Sequence, residues 1–417
     1  MTPSIQPIQN KDRVIFMDVL RGFAILGIFI ANLGSGFSGF NEEANLTGPF
    51  LIPHADQQMR FLHHLFIEGK FYSIFSLLFG WGIAYQIKRG DDNNTNVIPM
   101  LYRRLFFMLL LGTFHLLIWP GDIVFFYALL GFILIPFRKY SNRTLLIFAL
   151  TLILLPIVLY AVKAKWAWLN MPAELLSQTG VEVSKKLDGV STEAEYEVWI
   201  QQANWWDILK SNIGGFFFRY SYLFFVSRIP KVLGVFLIGF VIGRSDFYTQ
   251  INQHKKIIYW VIGIGCILGL PANYFLAYLM QYYGGDYWGL KIHGWYQTLV
   301  YALGVVPLAL AYVGLLMLGF ETSLGKRILT YLAPVGKMAF SNYIMQSLIG
   351  NFVFLHAGLG FTGQVGPVYY TLFGLMVFAF QVLISTFWLR YFHYGPFEWL
   401  WRSLTYWKPP PFRINKQ

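Results

Sequence analysis

His115 and Asp122 stand on either side of a short turn, Trp119-Pro120-Gly121-Asp122, and that spacing can bring an imidazole and a carboxylate together. A carboxylate that orients a histidine fixes its tautomer and raises its basicity, which is what a general base needs. The same spacing also suits a plain structural turn, in which Asp122 caps the following helix and His115 only hydrogen-bonds to it. A second group precedes and opens an apolar run: His63, His64, Glu68 and Lys70, with His63 and Glu68 placed to form an acid–base pair across a helix turn. A third lies in the first apolar run, where Asp18 and Arg21 are three residues apart on one helix face and Asn32 follows about three turns later. These three read either as a local ion pair with an interhelical hydrogen bond or as a polar path through the protein. Arg103 and Arg104 open the third run and suit either the phosphates of a nucleotide or a membrane anchor.

The elements that must hold these residues are apolar runs of about 17–25 residues, each long enough to cross the roughly 30 Å hydrocarbon core as a helix. The 417-residue chain is 56% hydrophobic and 12% charged, about half the charged fraction of a soluble protein. The expected fold class is therefore all-α, a polytopic integral membrane helical bundle of about ten transmembrane helices. They fall near 14–34, 70–87, 101–119, 121–137, 143–162, 229–243, 257–280, 295–319, 334–355 and 367–390. Residues 211–243 fit least well because Arg219, Arg228 and Lys231 interrupt the apolar pattern, and 213–226 reads as an interfacial segment or half-helix. Ser73, Ser76, Gly80 and Gly82 would let a second helix approach the second span closely.

Charge sets the orientation. With the amino terminus cytoplasmic, 20 of the 32 basic residues, among them Lys11 and Arg13, fall on inner segments, so both termini are expected inside. Residues 1–417 then form a single transmembrane domain, with 164–207 an extracytoplasmic loop or small amphipathic cap and 391–417 a cytoplasmic tail. Asp18 and Arg21 interrupt the first run and no small-residue cleavage pattern ends it, so it reads as an uncleaved span. The net charge of +12 is spent on span ends, which argues against nucleic acid as a partner. The lipid bilayer is the partner this pattern implies. A single cysteine, Cys266, excludes an intramolecular disulfide, and no metal motif, phosphate-binding glycine loop or Gly-x-Ser-x-Gly elbow is present. No tightly bound cofactor is expected, and oligomeric state is not legible.

Several stretches resemble the YeiB-type family, catalogued as a domain of unknown function (DUF418). They are Met17 to Asn32; Lys70 to Gly82; Arg103-Arg104 through Gly112, His115, Gly121-Asp122 and Tyr127; Asn342 to Gln346; and the tail from Gly395 to Trp407. His115 and Asp122 are one residue closer here than in the family pattern. The resemblance implies a multi-pass protein of the bacterial cytoplasmic (inner) membrane, and some members are labelled as involved in transport. More distantly, the Asp18-x-x-Arg21-Gly22 opening and Asn32 are similar to the transmembrane acyltransferases, which include the enzyme that N-acetylates heparan glucosamine. That likeness implies acyl-coenzyme A as donor and a glycan or lipid head group as acceptor. On it, His115, Asp122 and His63 are the catalytic candidates; Asp18, Arg21, Asn32, Lys70, Arg103, Arg104, Tyr127, Asn342 and Gln346 would bind substrate. The catalytic histidine of those enzymes follows the asparagine, where this chain has His54, His63 and His64 in no alignable motif. A small-solute transporter and a non-catalytic lipid-binding or scaffolding protein remain the competing readings.

Overall fold

Each of the ten expected runs holds a helix in the computed structural model, which describes residues 14–39, 48–245, 247 and 251–414. Lys11 and Arg13 lie outside the described residues. In chain order the helices are α1 (Ile15–Asn32), α2 (Pro53–Phe66), α3 (Lys70–Asp92), α4 (Ile98–Ile118), α5 (Val124–Leu134) and α6 (Asn142–Lys165). Then come α7 (Met171–Asp188), α8 (Glu193–Ile200), α9 (Trp205–Phe225), α10 (Arg228–Arg244), α11 (Ile251–Trp288) and α12 (Ile292–Glu321). The last are α13 (Ser323–Leu329), α14 (Ala333–Lys337), α15 (Ala339–Phe354), α16 (Pro367–Trp388) and α17 (Pro396–Tyr406). No strand forms among the described residues, and the protein is all-α and polytopic.

Six helices are long and apolar enough to cross a membrane on their own: α1, α4, α6, α11, α12 and α16. The pair α9 and α10 is apolar enough when taken together and is bent by 74° at its break, as in a broken span or a re-entrant loop. Helices α5 and α15 are too short to cross alone, at 11 and 16 residues, and polar groups are buried along some of the remaining runs. In α15, for example, Asn342, Gln346, Ser347 and Asn351 are all buried. Helix α3 packs on α10 backbone to backbone: a Cβ added to Gly80 would strike the Phe236 carbonyl, and one on Gly239 the Leu77 carbonyl. Small residues at such crossings gain dispersion contacts that a lipid solvent cannot supply. Gly82, by contrast, meets nothing and faces open space.

The break between α9 and α10 is satisfied chemically. Ser227 takes a left-handed conformation (φ 50°), and the last carbonyls of α9 would be stranded without water. Lys163 from α6 donates to the Phe224 and Phe225 carbonyls at 2.9 and 2.8 Å and to Ser227 Oγ at 3.3 Å. A cation at a helix C-terminus is also favoured by the backbone dipole. Residues 213–225 are the second part of the 21-residue helix α9, which ends at this break, and Arg228 and Lys231 lie where the chain bends. Within 164–207, α7 packs along α9, with Ser221 Oγ donating to the Ala173 carbonyl and Gly180 against Phe218.

Candidate functional site

Two cavities open at opposite ends of the bundle. The inner one, at the end that carries the start of α1, has about 230 Å³ of space. Its charged lining is Arg21, Arg104, Lys337 and Arg402 against the single carboxylate Glu398. Arg21 Nη1 bonds Asp18 Oδ1 at 2.8 Å, and Asp18 itself is buried. Arg104 Nη1 donates to Gln86 Oε1 at 2.8 Å and stacks 4.4 Å over Trp401. Arg103 is not on this wall: its Nε donates to the Thr405 carbonyl, which fastens α17 to α4. Glu398 fastens the other side of α17, accepting from Phe340 N at 2.6 Å, Ser341 N at 3.0 Å and Ser341 Oγ at 2.5 Å. A carboxylate there caps the N-terminus of α15. Burial pushes the Glu398 carboxyl above its ordinary value, opposed by the hydrogen bonds from Ser341 and the backbone. Residues 396–406 are thus a docked helix that forms one wall of the inner cavity.

The outer cavity has about 480 Å³. Asn32 and the π-helical turn that follows it, Leu33–Phe37, bring α1 to its wall. Tyr127 also lines it, its hydroxyl bonded to Ser76 Oγ at 2.6 Å and the Tyr72 carbonyl at 3.1 Å. Glu68, Arg219 and Arg228 supply the charge, while Tyr196 and Ile200 of the 164–207 segment reach it from α8. Ile28 and Ile123 belong to the linings of both cavities, so the two spaces approach each other at these side chains.

His115 and Asp122 do meet, Nδ1 to Oδ1 at 2.7 Å. Both side chains are fully buried and line neither cavity, which corrects the expectation of a general base open to substrate. The other imidazole nitrogen, Nε2, meets Ser347 Oγ at 2.9 Å, and Asp122 Oδ2 accepts from Phe125 N at 2.7 Å. The turn brings the ring inward, where α4, α5 and α15 converge. With Asp122 accepting from Nδ1–H, Nε2 is left to accept from the serine hydroxyl.

A second correction concerns His63. It is His64, not His63, that meets Glu68, at 2.5 Å. The pair is four residues apart, which places both on one face, whereas His63 is rotated toward α16. There its Nδ1 lies 3.1 Å from the Tyr370 hydroxyl and its Nε2 2.9 Å from Thr371 Oγ1. Lys70 is fully buried and donates to the His64 carbonyl at 2.5 Å near the end of α2, lining neither cavity. Asn342 and Gln346 join α15 to α16 through Ser385 (3.0 Å) and Gln381 (2.8 Å), also away from both cavities. Among the described residues no three His, Cys, Asp or Glu side chains converge to hold a metal.

Residues 242–408 match the family described as "Protein of unknown function (DUF418)". Over nearly its whole length the chain is similar to the uncharacterized protein YxaH of Bacillus subtilis (strain 168), 31% identical across 97% of this chain and 98% of that protein. The chain belongs to the DUF418, or YeiB-type, family. A second member, the uncharacterized protein YeiB of Escherichia coli (strain K12), is 28% identical over 94% of this chain and 96% of its own. An uncharacterized 39.9 kDa protein from Bacillus acidopullulyticus is 26% identical over 99% of both chains. No solved structure matches.

The residues that sequence reasoning did not place in a site are Arg219, Arg228, Lys337 and Arg402. The first two had a signal, since they spoil an otherwise apolar stretch. Lys337 and Arg402 had none, because a basic residue that lines a cavity at the end of a bundle looks the same in sequence as one that anchors a span.

Proposed function

We propose that this DUF418 protein is an acyltransferase of the bacterial cytoplasmic membrane, with ten spans and both termini inside. It moves an acyl group from a cytoplasmic acyl-coenzyme A thioester to an acceptor at the outer face, a glycan or lipid head group. The observation that carries this reading is the shared wall. A donor held in the inner cavity and an acceptor in the outer one would approach each other at Ile28 and Ile123, which line both. The basic inner wall suits the phosphates of a nucleotide thioester, which guanidinium groups bind as forks.

Glu68 is the proton acceptor in this reading, because it lines the outer cavity and His64 fixes its carboxylate. It would take the proton of the acceptor hydroxyl as the oxygen attacks the thioester carbonyl. The C–O bond forms, the C–S bond breaks, and the thiolate leaves into the inner cavity and is protonated there. His115, Asp122 and Ser347 position α4, α5 and α15 and do not touch substrate.

The same pair of cavities favours a carrier as the second reading, since opposed chambers that approach each other are also what a solute path requires. Purified protein in liposomes separates the two, with labelled acyl-coenzyme A supplied on the side of the 88–104 segment. An acyltransferase yields acylated acceptor and one free thiol per transfer. Solute flux with no covalent product from any acyl donor would favour the carrier.

A further inference from the structure

Among the described residues, the outer cavity is lined by two guanidinium groups, Arg219 and Arg228, and one carboxylate, Glu68, which is held by His64. Neither arginine has a carboxylate partner in the hydrogen bonds of the described residues. Arg228 donates to the hydroxyls of Tyr301 at 3.1 Å and Tyr222 at 3.0 Å and lies 4.6 Å from the Tyr72 ring centre. Arg219 sits 5.5 Å from the Tyr222 ring centre, and its Nε is buried without an acceptor among the described residues. A guanidinium offers five donors in a rigid fork. Two of them on one wall, with phenol hydroxyls and rings as their printed contacts and the Glu68 and Asp122 carboxylates within electrostatic reach, match an anion with several oxygens.

About two turns along α9 from Arg219, the same helix face presents an amide, and Asn351 of α15 adds another. Asn212 spends its amide nitrogen on the Leu117 and Ile118 carbonyls at 2.7 and 3.2 Å, and Asn351 spends its own on the Ile118 carbonyl at 2.7 Å. Both side chains line the cavity; with both amide hydrogens of Asn212 engaged its oxygen is left to accept, while Asn351 keeps its oxygen and one N–H. Such oxygens receive hydroxyl protons. Guanidinium forks with an amide oxygen about two turns along the same helix describe a ligand that is anionic at one end and hydroxylated at the other.

We propose that the outer cavity binds a glycerophosphate group, with the phosphate between Arg219 and Arg228 and the hydroxyls toward Asn212 and Asn351. As the identity of the acceptor this rests on the acyltransferase reading; as a binding site it stands without it. The shared chemistry is a phosphate-bearing polyol, which a phospholipid head group and a soluble or polymer-borne glycerol phosphate both provide.

The test is binding, not turnover. Full-length protein in phosphatidylcholine nanodiscs is titrated calorimetrically with sn-glycerol 3-phosphate and, as the neutral control, with glycerol. In parallel, nanodiscs doped with phosphatidylglycerol are assayed for a rise in thermal midpoint. Glycerol 3-phosphate should bind saturably and more weakly as salt rises. Arg219→Gln should weaken it by at least about tenfold, while Arg219→Lys, which keeps the charge, should fall between that variant and the wild type. Binding of the soluble probe alone assigns the source to a free or polymer-borne phosphate. A midpoint rise with phosphatidylglycerol alone, lost in Arg219→Gln, assigns it to the lipid head group. Equal binding of glycerol and glycerol 3-phosphate, or equal affinity in a folded Arg219→Gln protein, overturns the site. Acyl transfer to a neutral acceptor would then leave the acyltransferase reading standing. Glycerophosphate binding with no covalent product would refute that reading and leave the site.

Discussion

Replacing His115 by alanine separates a positioning histidine from a reacting one. In the folded protein the ring bridges Asp122 Oδ1 at 2.7 Å and Ser347 Oγ at 2.9 Å, with the histidine and aspartate side chains wholly buried. Without the ring, Asp122 keeps one bond, from Phe125 N at 2.7 Å, and Ser347 keeps a 3.4 Å contact with the Tyr343 carbonyl. Removing one partner of a buried polar pair costs about 3–5 kcal/mol, because the remaining group is left desolvated. A wetted pair at a cavity mouth would lose about 1 kcal/mol or less. His115→Ala should therefore lower the thermal midpoint of the detergent-purified protein by on the order of 5 °C or more. The folded fraction should keep its affinity for acyl-coenzyme A. Asp122→Asn retains an acceptor for one of the two donors and should cost less, about 1–3 kcal/mol. The assay is unfolding followed by size-exclusion chromatography after heating, with donor binding measured on the surviving monodisperse peak. An unchanged midpoint together with abolished transfer would refute this reasoning and return His115 to the chemistry.

Three further outcomes follow from the packing and the charge pattern. Lys163→Met strands the Phe224 and Phe225 carbonyls at the α9–α10 break and should destabilise by about 1–3 kcal/mol in the same unfolding assay, with Lys163→Arg partly restoring it. Single cysteines at Asp92 and Gln202, both exposed, should label from opposite sides with an impermeant thiol reagent in a Cys266→Ala background; same-side labelling would contradict the ten-span topology. Glu398→Ala removes three hydrogen bonds that hold α17 to α15 and should raise protease cleavage within 391–414 while leaving the rest of the chain protected.

Much of the fold was legible because lipid imposes long apolar runs, and each of the ten runs holds a helix. The Asp18–Arg21 pair and the His115–Asp122 contact were legible for a local reason: residues three apart on a helix, or across a tight turn, have little freedom to be elsewhere. His64 was confused with His63 because a helix turn was assumed there without its register: residues four apart share a helix face, and residues five apart do not. The third member of the His115 cluster, Ser347, lies 232 residues away, and Lys163 meets carbonyls 61 and 62 residues on, so neither has a sequence signal. The cavities were illegible for the same reason. Arg21, Arg104, Lys337 and Arg402 come from four separate segments, and only their packing shows that they share a wall.

The most direct test of the two-cavity account is Glu68→Gln, which keeps the shape of the side chain and removes its capacity to take a proton. Single-turnover transfer from labelled acyl-coenzyme A is measured in proteoliposomes, with donor affinity determined separately on the same preparation. The account predicts unchanged donor affinity and a transfer rate lowered by about 10²–10⁴-fold. Undiminished transfer in Glu68→Gln, or a wild-type protein that moves solute and forms no acylated product, would contradict it.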